Sequence, residues 1–209
     1  MKIKIGIPKV DNKKHIKLLE NGWNPLKEPK SVGRAILLSI PLMIFNAFIT
    51  VGVIEIFSSI SLKEFGIDPT SDSLSISINL VGIVSLFLLI VIHELLHLVF
   101  IPNFIESKKT FIGFTLFGGY VLTEEVMSRS RYLLITISPF VIISIFLPIL
   151  FSLLGILTPA FKIIILVNAM ASSVDILNLI LLFVQVPKGA KLISNGSKTY
   201  WKEEINHQQ

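Results

Sequence analysis

Four long apolar runs decide what this chain can fold into. They cover about Ala35–Ile60, Asn79–Ile101, Leu133–Leu157 and Ile163–Val186. A helix rises about 1.5 Å per residue, so roughly 20 apolar residues cross the hydrocarbon of a bilayer. Inside that hydrocarbon every backbone N–H and C=O needs a partner within the protein. Four separate runs of this length therefore predict four helices. Pro139 and Pro148 lie inside the third run, which predicts a kinked helix whose freed backbone groups bond to neighbours. Composition agrees. The 209 residues are 52% hydrophobic and only 16% charged, against roughly 25% charged in soluble domains. An ordinary water-soluble domain is excluded.

Charge gives the expected orientation. The first 34 residues hold nine Lys or Arg against Asp11, Glu20 and Glu28. The loop after the first run, "SLKEFGIDPTSDS", has one lysine against Glu64, Asp68 and Asp72. The middle loop brings Lys108, Lys109, Arg129 and Arg131, and the tail brings Lys188, Lys191, Lys198 and Lys202. Basic residues stay on the cytoplasmic side, so both termini are expected there. The resulting organisation is a basic segment at 1–34, with Trp23 suited to the membrane interface, a four-span domain at 35–186 and a cytoplasmic tail at 187–209. The net charge of +5 is accounted for by this decoration. No compact soluble module remains to carry nucleic-acid binding. The polar opening does not read as a cleavable signal, so the first run is expected to stay as a span. The lack of cysteine excludes disulfides and thiolate zinc sites.

The middle loop contains "TFIGFTLFGGYVLTEE", aromatic and β-branched around Gly118 and Gly119. That pattern predicts a β-hairpin against the membrane. "MKIKIGI" alternates polar and apolar residues and predicts a short strand. The fold class expected is thus an all-α membrane protein with about four transmembrane helices and a small β-hairpin in the cytoplasmic middle loop.

The second run carries "VIHELLHLVF". Ionisable groups at that depth cost about 2.5–3.5 kcal/mol each on insertion scales. His93 and His97 are four apart, so their imidazoles share one helix face. That spacing suits two ligands of one zinc ion, with Glu94 beside the first as general base. The bland alternative is a set of buried polar groups bonded to a neighbouring helix.

Catalytic zinc takes three protein ligands. Asp175 is the only acid in the fourth run. His93 lies ~21 Å and Asp175 ~18 Å from the outer ends of their runs, so the depths agree. Glu124 and Glu125 are rival third ligands beside the basic loop, while His15 and His207 lie in tails. Asn168 and Ser172 share the helix face of Asp175 and are candidates to bind substrate backbone or to orient the carboxylate. Gly118 and Gly119 are substrate-binding candidates in the hairpin. Glu55 is given no role.

With "HELLH" in one span and "SSVDILN" in a later one, the chain resembles the site-2-protease-like intramembrane metalloproteases. It resembles still more closely a bacterial membrane family of unknown function known as "putative zincin peptidase". The segments "GWNPLKEPKS", "GGYVLTEE" and "RYLLITISPF" share in that resemblance, which covers most of the chain. It implies zinc on His93, His97 and Asp175, Glu94 as base, and a bacterial cytoplasmic membrane. Val174 and Ile176 stand where the site-2-protease motif has Pro and Gly.

The activity expected is a zinc-dependent intramembrane endopeptidase. It would cleave a membrane protein or peptide near the cytoplasmic side, with the hairpin offering an edge for an extended substrate. A non-catalytic scaffold of the same fold and a protein handling metal ions or protons are the other classes. Substrate and oligomeric state are not written in the sequence.

Overall fold

The computed structural model describes residues 1–6, 8–68, 70, 73–74, 80–115 and 118–203. The first elements in chain order are β1 (Lys2–Ile5), α1 (Asn12–Glu20), β2 (Asn24–Pro25) and α2 (Val32–Phe57). A 3₁₀ turn (Leu62–Phe65), β3 (Ile67–Asp68), β4 (Ser73–Leu74) and α3 (Leu80–Val99) follow. Next come β5 (Thr110–Thr115), β6 (Gly118–Thr123), β7 (Met127–Ser128) and α4 (Arg129–Pro139). A π-helical stretch (Phe140–Phe146) leads into α5 (Leu147–Leu153), α6 (Pro159–Ala171) and α7 (Ser173–Gln185). The last elements are β8 (Lys191–Asn195) and β9 (Lys198–Lys202).

Four helical stretches are long and apolar enough to cross a membrane: Val32–Phe57, Leu80–Val99, Arg129–Leu153 and Pro159–Gln185. Phe48, Val81 and Val184 are each more than 70% exposed on them. Faces this apolar suit lipid rather than water. The all-α expectation needs correction, because a three-stranded and a four-stranded sheet accompany the helices.

The chain forms two compact units. The first comprises residues 1–35, 94–138 and 175–209. Its three-stranded sheet has the order β1-β5-β6. The expected hairpin is there: β5 and β6 run antiparallel from Thr110↔Thr123 to Thr115↔Gly118. Its tip, Leu116 and Phe117, lies outside the described residues. The expected N-terminal strand is also there, parallel to β5 with Lys2 opposite Phe111. The other sheet, β2-β9-β8-β7, was not expected. Its hairpin turns at Gly196, where φ is +56° and a Cβ would strike the backbone of Pro8 and Lys9. Only glycine meets both demands. Leu26, Leu182, Val186, Ala190 and Leu192 form the core of this unit, with Tyr132, Leu133 and Trp201 packed against it. Helix α1 starts where the Asp11 carboxylate accepts the N–H groups of Lys13 and Lys14, satisfying donors that a helix start leaves open.

The second unit comprises residues 36–93 and 139–174. Several buried polar groups inside it are paired, as hydrocarbon favours, while the buried Thr50 hydroxyl has no hydrogen-bond partner among the described residues. Asn46 Nδ2 donates to the carbonyl of Ala169 at 3.0 Å, and Ser173 Oγ donates to Ser39 Oγ at 3.2 Å. Lys162, only 4% exposed, donates to both oxygens of Glu64 and to the carbonyl of Ser59. Pro148 explains the neighbouring π-helical stretch. Its ring crowds the carbonyl four residues back and it offers that carbonyl no N–H, so the helix opens there.

Candidate metal centre

The division between the units falls inside α3, between His93 and Glu94. The motif itself therefore sits on one unbroken helix, and the placement of its two histidines is local helix geometry. One ligand atom from each of His93, His97 and Asp175 lies within 4.8 Å of the others. This is the metal-competent cluster among the described residues. His97 Nε2 is 3.5 Å from Asp175 Oδ2. Two ligands about 2.0–2.1 Å from one tetrahedral ion stand roughly 3.3 Å apart, so this pair already has the right separation. Two imidazoles and a carboxylate, with a fourth position for water, are a donor set that zinc accepts.

Each histidine is turned toward the cluster by a bond at its other nitrogen. His97 Nδ1 lies 2.8 Å from the carbonyl of Ile135. A carbonyl only accepts, so Nδ1 carries the proton and Nε2 holds the lone pair that a metal would take. Pro139, four residues after Ile135, explains why that carbonyl takes a side-chain donor. A regular helix would satisfy it with the N–H of residue 139, and proline has none. Ser138 Oγ donates to the same oxygen at 2.9 Å.

His93 Nδ1 lies 2.9 Å from Asn168 Oδ1. The amide of Asn168 is oriented by its own donations to Ser144 Oγ at 2.9 Å and to the Pro139 carbonyl at 3.3 Å. Its oxygen must then accept from Nδ1, which again leaves Nε2 as the nitrogen that a metal would take. Partners of this kind fix the tautomer and ring angle of metal-binding histidines. Asn168 and Ser172 were both candidates to touch substrate, but each is fully buried. Asn168 holds His93, and Ser172 Oγ donates back to the carbonyl of Asn168 at 2.9 Å.

Glu94 is 8% exposed, and β6 crosses it at Gly119. A Cβ at position 119 would sit 2.5 Å from Glu94 Cγ and 3.0 Å from Cδ and Oε1. Glycine there makes room for the acid. Gly118 beside it has φ +131°, a conformation that side chains rarely adopt. Gly119 thus makes room for Glu94, and Gly118 supplies a backbone conformation that favours glycine.

The rival ligands are engaged elsewhere. Glu124 pairs with Lys14 at 2.8 Å and accepts the N–H of Gly196. Glu125 accepts from Ser107 and faces Lys109. His15 is bonded to Tyr200, Glu55 accepts the N–H of Ile60, and His207 lies outside the described residues. Sequence reasoning missed the part played here by Pro139 and the position of Glu28 in the wall of a neighbouring cavity. That of Pro139 was legible as a missing donor inside a span. Glu28 gave no such signal, being one more charge in a basic segment.

A cavity of about 220 Å³ opens beside His97 and Asp175, lined entirely by residues of the first unit. Glu28, Tyr132, Asn178 and Thr199 are among its walls.

A family model described as "Putative zincin peptidase" matches residues 86–191, just over half of the chain. No curated protein and no solved structure matches.

Proposed function

The chain belongs to this zincin-peptidase family, and on that premise we propose that it is a zinc-dependent endopeptidase working within the membrane on a membrane protein or peptide. The observation that carries the reading is the convergence of His93, His97 and Asp175, with Glu94 on the helix of the two histidines. Bound there, Zn²⁺ supplies a Lewis acid for the scissile carbonyl and lowers the pKa of a water toward about 7. Ile135 and Asn168 hold the two imidazoles so that the ligand nitrogens face inward. Glu94 takes the proton of the attacking water at its carboxylate and delivers it to the leaving amide nitrogen. The low exposure of Glu94 keeps competing water away from that transfer.

A helical peptide hides its carbonyls, so the substrate must be extended at the cut. Strand β6 is one of the two edge strands of its sheet, and Gly119 on it packs against Glu94. A substrate strand added along β6 would lie beside the base. With both termini cytoplasmic, cleavage falls near the cytoplasmic side of a bacterial membrane.

The test is metal content and turnover of purified protein in detergent. Wild type should carry near one zinc per chain. His93→Ala and Asp175→Asn should lose it, and Glu94→Gln should keep it while losing cleavage of peptide libraries. Wild type that stays metal-free after zinc loading would overturn the reading. Zinc held normally with no cleavage of any library would favour a scaffold instead.

A further inference from the structure

The cavity beside the candidate centre has an uneven chemistry. Two carboxylates, Glu28 and Asp175, line it, and no lysine or arginine does so among the described residues. Asp175 is committed to the metal cluster, which leaves Glu28 as the carboxylate without such a task. Glu28 Oε2 accepts the N–H of Thr199 at 3.1 Å. That contact fixes its position but does not neutralise its charge. The basic group whose charge reaches it is Lys198, which is solvent-exposed. His97 faces the metal cluster, and the remaining polar walls, among them Asn178 and the hydroxyls of Tyr132 and Thr199, are neutral and suit an N–H donor. About 220 Å³ is several times the roughly 30 Å³ share of one water, room for one long side chain.

We propose that this cavity is the specificity subsite for a cationic side chain, lysine or arginine, of the peptide being cleaved, with Glu28 as its counter-charge. The inference rests on the endopeptidase reading and names its substrate class. Burial holds the Glu28 carboxyl above the ordinary carboxylate range, and an arriving cation offsets that desolvation. The Asn178 oxygen and the two hydroxyls accept the remaining ammonium or guanidinium protons. Cytoplasmic flanks of membrane spans are rich in lysine and arginine, so a membrane substrate presents such groups where a span ends.

Binding tests this without turnover. The probes are fluorescein-labelled, N-acetylated apolar peptides that differ at one central residue: lysine, Nε-acetyl-lysine or glutamate. Each is titrated against the full-length, zinc-loaded Glu94→Gln protein in detergent, followed by anisotropy. The lysine peptide should bind about tenfold tighter than its acetyl-lysine twin. Glu28→Gln, checked for folding by its melting temperature, should bring the two within about twofold. Equal affinities in the Glu28-bearing protein would overturn the proposal, and that comparison does not depend on how the variant folds. A preference that survives in Glu28→Gln would overturn it too. A free N-terminus that restores tight binding to the acetyl-lysine peptide would assign the subsite to a chain-terminal ammonium and overturn the side-chain reading. Loss of the peptidase reading would show separately, as absent zinc or absent cleavage in wild type.

Discussion

Replacing Pro139 with alanine should weaken zinc binding although residue 139 touches no ligand atom of the cluster. The Ile135 carbonyl has two lone pairs. His97 Nδ1 and Ser138 Oγ use them, at 2.8 and 2.9 Å. Pro139→Ala adds a backbone N–H aimed at the same oxygen, so three donors compete for two positions. The new donor is fixed by the helix. Ser138 Oγ has a second acceptor in the Leu96 carbonyl at 3.3 Å. The histidine bond is the one that lengthens, and a neutral hydrogen bond contributes about 1 kcal/mol net. Loss of a histidine's supporting partner typically costs 10–100-fold in metal affinity. We expect about tenfold, or about 1.4 kcal/mol. Zinc competition against chelators of graded affinity, with the protein in detergent, measures it. The melting temperature of the metal-free variant should hold or rise, since alanine suits a helix interior better than proline. Ser138→Ala should change zinc affinity by no more than about twofold, because it relieves rather than adds competition. Wild-type zinc affinity in a folded Pro139→Ala protein would refute the argument.

Gly119→Ala should keep zinc and lose rate. A Cβ 2.5 Å from Glu94 Cγ forces the acid to move by about 1 Å, and displacements of that size cost on the order of 10²-fold in turnover; zinc content beside library cleavage separates the two effects. Glu28 should make stability depend on pH. Its carboxyl is raised above 4.5 by burial, so the folded state binds the extra proton: the contribution is complete below about pH 4.5 and is lost as pH rises through the raised value. Melting temperatures across pH 4–7 should show a fall in wild type that is shallower in Glu28→Gln, and identical slopes would refute this. Glu64→Gln should destabilise the second unit by about 2 kcal/mol, because Lys162 stays buried with a weaker partner. Glu64→Leu combined with Lys162→Met, which removes both charges, should be more stable than Glu64→Gln in chemical denaturation.

The cluster of candidate ligands was legible because helical spacing is a local property. His93 and His97 must share a face wherever their helix packs, and a single acid in the last span narrowed the third position to Asp175. The spans were legible from length alone, and the β5–β6 hairpin from its residues. What the sequence hid was the identity of the partners. Asn168 sits on the face of Asp175 by helical count, yet its amide is turned to His93 by Ser144 and Pro139. The four-stranded sheet did leave a trace in "KLISNGSKTYW", where Asn195-Gly196 divides two alternating stretches. The four lysines of the tail masked it by suggesting a solvated end. Glu28 became significant only once β9 brought Thr199 to it.

The pairing of β2 with β9 also bears on how the protein is made. Asn24 lies opposite Trp201, so the strand that completes the sheet leaves the ribosome long after its neighbour. At about 5–20 residues per second the interval is roughly 9–35 seconds. For most of that time Leu26 lacks the Leu182 and Leu192 side chains of its core cluster, and the wall of the cavity that carries Thr199 does not exist. A chain stalled after its third span would carry "HELLH" but neither Asp175 nor β9. The metal cluster would thus be incomplete until the fourth span is made, so the order of synthesis sets when the centre can first assemble.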